Sequence, residues 1–264
     1  MAFLEIKNIT QRFGGLIAVD NVEMSVEQGE IVSIIGPNGA GKTTVFNMIT
    51  GVYSVTEGDI YFNGDRISRF SPRQIVKKGI SRTFQNIRLF KNLRVIENAL
   101  IGAHINMNYS LLDTIFRTPG FKRTERELHE KAVDVLCSIG LENYIDAYAG
   151  NLPYGLQRRL EIARIIMSNA KILLLDEPVA GMNPLESNEM MAFIKSLQGD
   201  GYTILLIEHD MNVVMNISER IYVMDHGKLI AHGKPDEIVQ NPEVIKAYLG
   251  DISELIPEDG QYDA

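Results

Sequence analysis

Residues 36–43, Gly-Pro-Asn-Gly-Ala-Gly-Lys-Thr, form a complete Gly-x-x-x-x-Gly-Lys-Thr phosphate-binding motif. The motif follows a run at 30–35 that predicts a buried strand, and a helical stretch at 43–50 comes after it. Its glycines let consecutive N–H groups point at phosphate oxygens, and the helix N-terminus adds partial positive charge. We expect Lys42 to reach the β- and γ-phosphates and Thr43 to hold Mg²⁺ through its hydroxyl.

Two carboxylates at 176 and 177 form the second half of the predicted nucleotide site. They follow four apolar residues, 172–175, which predict a strand in the core of a sheet. Ligands bind at the carboxyl ends of such strands. We expect Asp176 to reach the Mg²⁺ shell through water and Glu177 to orient or deprotonate an attacking water molecule.

The composition is that of a globular protein, with 264 residues, 45% hydrophobic and 23% charged. The net charge of −8 argues against nucleic-acid binding over the whole chain. The single cysteine, Cys137, excludes an internal disulfide, and its helical surroundings predict a thiol packed in the core. No apolar run approaches the ~20 residues that span a bilayer. Glu5 and Lys7 interrupt the region where a signal peptide would be apolar.

The elements that must position these residues fall into three parts of the chain. The first third predicts strands at 3–7 and 21–26 and a hairpin at 57–66 around Asn63-Gly64. From 70 to about 169 the pattern is mostly helical, with no comparable buried strand. Within this part, 106–124 predicts an extended loop or insertion, and 123–140 predicts an amphipathic helix.

From residue 172 onward, continuous apolar strands alternate with helices. The pattern predicts a strand at 172–175, a helix at 186–197, a strand at 202–207, and a hairpin formed by 221–224 and 228–231. Such alternation favours an α/β fold with a mostly parallel sheet, joined to the antiparallel N-terminal part. The acidic residues 251–264 predict a loosely held tail.

Taken together, these motifs resemble the ATP-binding subunits of ABC transporters over residues 3 to about 250. The match rests on 36–44, on Asp176-Glu177 and on His209, which follows a strand in Ile-Glu-His-Asp. The resemblance implies a P-loop NTPase core at 1–85 and 170–250, a helical subdomain at about 86–169, and a single domain ending near 250. It also implies ATP and Mg²⁺ as cofactors.

The resemblance assigns roles to individual residues. His209 would contact the γ-phosphate, Gln85 would contact Mg²⁺ or the water and signal nucleotide state to a membrane partner, and Phe13 would stack on adenine. The implied catalytic set is Lys42, Gln85, Glu177 and His209, and the implied metal set is Thr43, Gln85 and Asp176. The implied nucleotide-binding set is Phe13, Gly36, Pro37, Asn38, Gly39, Ala40, Gly41, Lys42, Thr43, Thr44 and Gly155.

The signature segment departs from the common Leu-Ser-Gly-Gly-Gln and reads Leu-Pro-Tyr-Gly-Leu at 152–156. In the family this segment meets the γ-phosphate bound by the other subunit of a dimer. Pro153 offers neither a hydroxyl nor an N–H, so the loss of one such hydrogen bond costs about 1.5–3 kcal/mol. Gly155 still offers a backbone donor. We therefore hypothesise two unequal sites with a non-identical partner. Residues 180–184 match the loop at the dimer interface, with Asn183 where many relatives have Asp.

Three segments, 82–90, 106–122 and 176–184, resemble the branched-chain amino-acid type of ABC transporter. Urea-type and lipopolysaccharide-export relatives share much of this pattern and remain alternatives, as does a soluble ABC ATPase of DNA repair or translation. A small GTPase would need a guanine-specific Asn-Lys-x-Asp, which the sequence lacks. The resemblance implies permease subunits, a second ATP-binding subunit (different or identical) and a solute-binding protein as partners. It places the chain on the cytoplasmic face of the membrane, bound through the permease.

Overall fold

The computed structural model describes residues 2–107 and 118–249. Its strands form two sheets. In chain order they are β1 Leu4–Phe13, β2 Leu16–Val26, β3 Ile31–Ile35, β4 Glu57–Phe62, β5 Asp65–Arg66, β6 Ile80–Arg82, β7 Ile172–Asp176, β8 Thr203–Ile207, β9 Arg220–Asp225 and β10 Lys228–Gly233.

The smaller sheet is antiparallel and has the order β2-β1-β4-β5. The larger has the order β10-β9-β3-β8-β7-β6, and its pairs are parallel except for the β9-β10 hairpin. This confirms the α/β fold class with an antiparallel N-terminal part. The strands predicted at 3–7 and 21–26 are longer than expected, because each pairs along its length with the other.

A short strand, β6, contradicts the expectation that 70–169 contains no buried strand. Ile80 and Ser81 are buried, and β6 pairs in parallel with the start of β7 at Ile172. Three residues are too few to show a period in the sequence. The strand exists because the edge of β7 offers it a partner.

Helices cover both faces of the larger sheet. In chain order they are α1 Lys42–Ile49, α2 Pro72–Lys78, α3 Val95–Ala103, α4 Pro119–Ser138, α5 Tyr154–Met167, α6 Pro184–Gly199, α7 Met211–Ile217, α8 Pro235–Val239 and α9 Pro242–Leu249. The helices α3, α4 and α5 contact one another. The subdomain boundaries near 85 and 170 stay a prediction. Within the described ranges, no helix is long and apolar enough to cross a bilayer.

The helix α4 corrects two expectations. It begins at Pro119, not near 123, because the Thr118 hydroxyl caps it by accepting the Phe121 N–H at 3.3 Å. The end of the predicted 106–124 loop is therefore helical, and its part at 108–117 lies outside the described residues. Cys137 is exposed, so the prediction of a packed core thiol is wrong. The buried positions of α4 are Ala132 and Leu136, and Cys137 points away from that face.

The strand β7 separates two hydrophobic cores. Leu173 and Leu175 pack into the core that contains α3 and α5, whereas Ile172 and Leu174 pack into the core beneath the antiparallel sheet. Side chains alternate across a strand, so burial on both faces requires an uninterrupted apolar run. Packing on both faces fixes the carboxyl end of β7, where the two predicted carboxylates follow. The predicted tail at 251–264 lies outside the described residues.

Candidate active site

The phosphate loop connects the end of β3 to the start of α1. Gly36 and Gly41 have φ of 145° and 98°. A Cβ on Gly36 would lie 2.0 Å from the Met224 carbonyl oxygen, and one on Gly41 would lie 2.6 Å from the Ala18 carbonyl oxygen. Glycine is therefore required at both positions by close backbone packing. The loop leads directly into the N-terminus of α1, whose free N–H groups suit a phosphate.

Lys42 is the first residue of α1, and its side chain turns back into the loop. Its Nζ donates to the carbonyl oxygens of Gly36 at 2.6 Å and Pro37 at 2.9 Å. Burial lowers the pKa of Lys42, and the nearby carboxylates of Glu177 and Asp176 oppose that shift. The ammonium therefore sits in the loop beside both carboxylates, where a negatively charged ligand would favour its charged form.

A cavity of about 450 Å³ brings most of the predicted site together. Its lining includes Gln85 and Glu177 together with the predicted residues Asn38, Gly39, Ala40, Gly41, Lys42, Thr43 and Thr44. Pro37 lines a neighbouring cavity, and neither Asp176 nor His209 lines the first one. Sequence reasoning missed residues 16–18 and 226–227, which complete the wall. Their only signal was position: residues 16–18 begin the strand β2 after a turn, and residues 226–227 form the turn between β9 and β10.

Phe13 is the last residue of β1, an inner strand of the antiparallel sheet. Its ring is 42% exposed and meets Tyr53 edge-on, with centroids 5.1 Å apart. Leu16 and Ile17, across the turn from Phe13, line the cavity, whereas Phe13 itself does not. Adenine stacking on Phe13 stays a prediction.

The carboxylates that follow β7 have different surroundings. Asp176 is buried and forms an ion pair with Arg82, whose Nη2 lies 2.5 Å from Oδ2. Arg82 also donates to Asn47 Oδ1 on α1 at 2.6 Å, so it connects Asp176 to the helix after the phosphate loop. Glu177 has a left-handed φ of 47° and accepts a hydrogen bond on Oε2 from Gln85 Nε2 at 2.8 Å. Glu177, unlike Asp176, therefore presents its carboxylate to the cavity.

His209 is 60% exposed at its side chain, and its Nδ1 lies 3.6 Å from Glu177 Oε1. The neighbouring Glu208 was missed by sequence reasoning. It is fully buried and accepts the N–H groups of Val179 at 3.2 Å and His209 at 3.1 Å. Burial raises the pKa of Glu208. Its signal was a carboxylate directly after the apolar strand β8, the same pattern that marked Asp176. Glu208 thereby ties the end of β8 to the segment after β7.

The predicted donor set for Mg²⁺ consists of the Thr43 hydroxyl, the Gln85 amide oxygen and the Asp176 carboxylate. These are hard oxygen ligands of the kind that Mg²⁺ prefers. Thr43 and Gln85 line the same cavity, but Asp176 is engaged by Arg82, so it suits contact through water. Among the described residues, no three His, Cys, Asp or Glu side chains are grouped to hold a metal by themselves. The residues fit a metal that shares its shell with phosphate oxygens and water.

The signature segment begins α5 at a distance from this cavity, which Gly155 does not line. Pro153 is the N-cap of α5 and makes no side-chain hydrogen bond there. The Tyr154 hydroxyl instead donates to the Ala180 carbonyl at 3.0 Å. Asn183 caps α6 by accepting the N–H groups of Leu185 and Glu186. The predicted contact of Gly155 with another subunit's nucleotide stays a prediction.

A Gly-Lys-Thr loop between a buried parallel strand and a helix, with a carboxylate at the end of β7 in the same sheet, defines a P-loop nucleoside triphosphatase. Comparison with known proteins refines this class. The family model described as ABC transporter matches residues 19–180, and that described as Branched-chain amino acid ATP-binding cassette transporter matches residues 228–252.

Curated relatives match almost end to end. The high-affinity branched-chain amino acid transport ATP-binding protein BraF of Pseudomonas aeruginosa is 49% identical over 249 residues, covering 94% of this chain and 98% of its own. The corresponding LivG of Salmonella typhimurium is 47% identical over the same extent. A probable LivG of Archaeoglobus fulgidus is 38% identical over 252 residues, or 95% of this chain and 96% of its own.

Solved structures agree with these relatives. A nucleotide-free ATP-binding cassette from an ABC transporter superposes with a TM-score of 0.83 at 36% identity, covering 95% of this chain and 100% of its own. An ADP conformation of such a cassette gives 0.84 at the same identity and coverage. The chain belongs to the ABC transporter ATP-binding family, and within it to the branched-chain amino-acid type. It is therefore a nucleotide-binding ATPase subunit.

Proposed function

We propose that this chain powers an importer of branched-chain amino acids by hydrolysing ATP with Mg²⁺. The proposal rests on one observation above all: Lys42, Thr43, Gln85 and Glu177 line one cavity at the end of the parallel sheet. The named solute comes from the relatives, whose ATP-binding proteins serve high-affinity branched-chain amino-acid transport. Residues 228–252 match the family model specific to that type.

Glu177 is the residue best placed to orient or deprotonate the attacking water. Its carboxylate faces the cavity, and Gln85 holds one of its oxygens at 2.8 Å. Lys42 and the N–H groups of residues 38–44 would stabilise charge that develops on the γ-phosphate, with His209 beside Glu177. Mg²⁺, when bound, would neutralise phosphate charge beside Thr43 and Gln85. Phe13 and Gly155 complete the proposed nucleotide contacts, the latter across a dimer.

The proposed partners follow from the same resemblance. Permease subunits would hold the chain on the cytoplasmic face of the membrane, a solute-binding protein would deliver the amino acid, and a second ATP-binding subunit would complete each site. Pro153 at the signature serine position supports two unequal sites, since it removes a hydroxyl and an N–H. The net charge of −8 supports the absence of a nucleic-acid partner.

The hydrolytic role is tested with Glu177→Gln in the full chain. The amide keeps the shape and the hydrogen-bonding reach of the side chain but cannot take a proton. We expect ATP affinity within about twofold of wild type and phosphate release reduced by about 10²-fold or more. Glu189→Gln is the matched control, because Glu189 is exposed on α6. Phosphate release at the wild-type rate in Glu177→Gln would show that another group is the base.

The transport role is tested by capturing the Glu177→Gln chain with ATP from solubilised membranes of its own source. Recovery of integral membrane permease subunits with a second, different ATPase subunit supports the proposal. Recovery of soluble proteins alone, or of this chain alone, contradicts it and favours a soluble ABC ATPase. Uptake of labelled leucine by the reconstituted complex, compared with urea, then tests the solute.

A further inference from the structure

The backbone on either side of the predicted Gln85 is held by one buried arginine. Arg158 lies in α5, about one turn into the helix that begins within the signature segment, and it is 3% exposed. Its Nη1 donates to the Phe84 carbonyl at 2.9 Å, and its Nη2 donates to the Gln85 carbonyl. The planar guanidinium fork suits this double contact, which a lysine could not reproduce.

Two separate series of hydrogen bonds connect Arg158 to Glu177. On one side, Gln85 Nε2 donates to Glu177 Oε2 at 2.8 Å. On the other, the Ala180 N–H donates to the Glu177 carbonyl at 3.2 Å, which fixes the turn after β7. The Glu177 backbone has a left-handed φ of 47°, which is uncommon for a residue with a side chain. Such a conformation persists only where neighbouring contacts hold it.

Tyr154 completes the second series of hydrogen bonds, between Arg158 and Ala180. Its hydroxyl donates to the Ala180 carbonyl at 3.0 Å and lies 3.3 Å from Arg158 Nη2. A guanidinium has no acceptor, so Arg158 must donate to the tyrosine oxygen, and the tyrosine must donate to Ala180. These directions are mutually consistent. The hydrogen bonds therefore close a ring through Arg158, Gln85, Glu177, Ala180 and Tyr154.

We propose that Tyr154 and Arg158 are positioning residues that set the place of the Glu177 carboxylate from within the same chain. The inference rests on the proposed hydrolytic role of Glu177. Tyr154 stands in the signature segment, where the common pattern has its first glycine. The inference gives this tyrosine a role within its own subunit. The phosphate contacts at 36–44 lie outside the ring, so the ring acts on turnover and leaves ATP binding unchanged.

The test is Tyr154→Phe in the full chain, which removes the hydroxyl and keeps the ring. Tyr154 is 40% exposed, so the variant is expected to fold as wild type does. We expect kcat for ATP hydrolysis to fall about five- to tenfold with KM for ATP unchanged, because only the placement of the base is loosened. Tyr148→Phe is the matched control, since Tyr148 is exposed in the same region, and it should behave as wild type.

A second variant tests the ring as a unit. Arg158→Lys should lower kcat by a similar factor, and the double variant should be no slower than the slower single variant, because the ring is already open. If Arg158→Lys does not fold, Tyr154→Phe decides alone. An unchanged kcat in Tyr154→Phe, or a raised KM with unchanged kcat, overturns the inference while leaving ATP hydrolysis standing. A wild-type chain that hydrolyses no ATP overturns the proposed function itself.

Discussion

Two loops reach the same cavity by different means. The phosphate loop, residues 36–44, is shaped by its own backbone, with glycines in conformations and contacts that exclude a Cβ. The glutamine loop, residues 84–90, is held by side chains of α5 more than seventy residues away in sequence, and at its last residue by Asn98 of α3. The glycines that shape the first loop lie within it, although they pack against the Ala18 and Met224 carbonyls, whereas the second loop depends mainly on side chains of α5. A local motif can therefore specify a binding loop, whereas a loop held by remote side chains depends on the whole fold.

The glutamine loop is anchored by charged side chains that are buried away from water. Glu161 accepts the Arg88 N–H at 3.0 Å, and Arg164 donates to the Arg88 carbonyl. Burial raises the pKa of Glu161 and lowers that of Arg164. Desolvating these groups opposes folding, and the hydrogen bonds to the backbone offset part of that loss. The phosphate loop has a single comparable charge, Lys42.

The largest effect is expected for a substitution in the phosphate loop. In Gly36→Ala the new Cβ would lie 2.0 Å from the Met224 carbonyl oxygen, so β9 or the loop must move. We expect a loss of about 3 kcal/mol or more in the free energy of unfolding, together with weakened ATP binding. Urea unfolding followed by circular dichroism measures the first quantity.

The control for this variant is Gly39→Ala. Gly39 also has a positive φ, of 83°, but no atom lies within 4 Å of a Cβ built there. Only backbone strain of about 1–2 kcal/mol is expected. Equal losses in the two variants would mean that close packing against Met224 does not explain the requirement for glycine at 36.

A smaller effect is expected for a substitution at a side chain that holds the glutamine loop. Asn98, fully buried in α3, accepts the Phe90 N–H at 2.9 Å at the end of the glutamine loop. Its amide also donates to the carbonyls of Phe90, Leu93 and Arg94. Asn98→Ala leaves the Phe90 N–H without its acceptor and removes one donor from each carbonyl, each of which also accepts a backbone N–H. We expect a loss of about 2 kcal/mol in the free energy of unfolding. Binding of ATP to the phosphate loop should persist, as measured by isothermal titration calorimetry.

Asn151→Ala serves as the control, because Asn151 is exposed. Its free energy of unfolding should lie within about 0.5 kcal/mol of that of wild type. If Asn98→Ala abolished ATP binding in a folded chain, the two loops would not be independently held, and the comparison would have to be withdrawn.

The smallest expected effect is a dependence on pH at Glu161. Because burial raises its pKa above the ordinary value of 4.5, its contribution to stability is fully present below about 4.5 and is lost as pH rises through the folded-state pKa. Glu161→Gln does not titrate. We therefore expect the free energy of unfolding of Glu161→Gln to increase relative to that of wild type as pH rises from about 4.5 to about 8, in addition to any pH-independent difference.

Urea unfolding of both proteins at several pH values measures this difference. Lys195→Gln, on the exposed side of α6, is a control that should show no such trend. A difference between Glu161→Gln and wild type that stays flat across the range would show that the glutamine loop is not anchored by a desolvated carboxylate.

Much of the fold was predictable where physics acts between neighbouring residues. The apolar run before Asp176 predicted β7, Asn63-Gly64 predicted the β4-β5 hairpin, and both are confirmed. By contrast, β6 escaped prediction because three residues show no period and the strand depends on the edge of β7. The prediction for Cys137 was wrong because α4 buries only a narrow stripe of residues, which includes Leu136 but not Cys137.

The site divides in the same way. The sequence by itself identified the phosphate loop, since Gly36, Gly41 and Lys42 lie within one eight-residue motif, although the Met224 and Ala18 carbonyls that require glycine there belong to other strands. It also determined that Glu177 follows a core strand. Only the tertiary structure decided that Asp176 is paired with Arg82 and that Glu208 supports the segment after β7. The same is true of the connection of Tyr154 and Arg158 to Glu177 through Ala180 and Gln85. Those contacts join residues separated by tens of positions, and no local period or motif encodes a pairing that exists only once the sheet and α5 have packed.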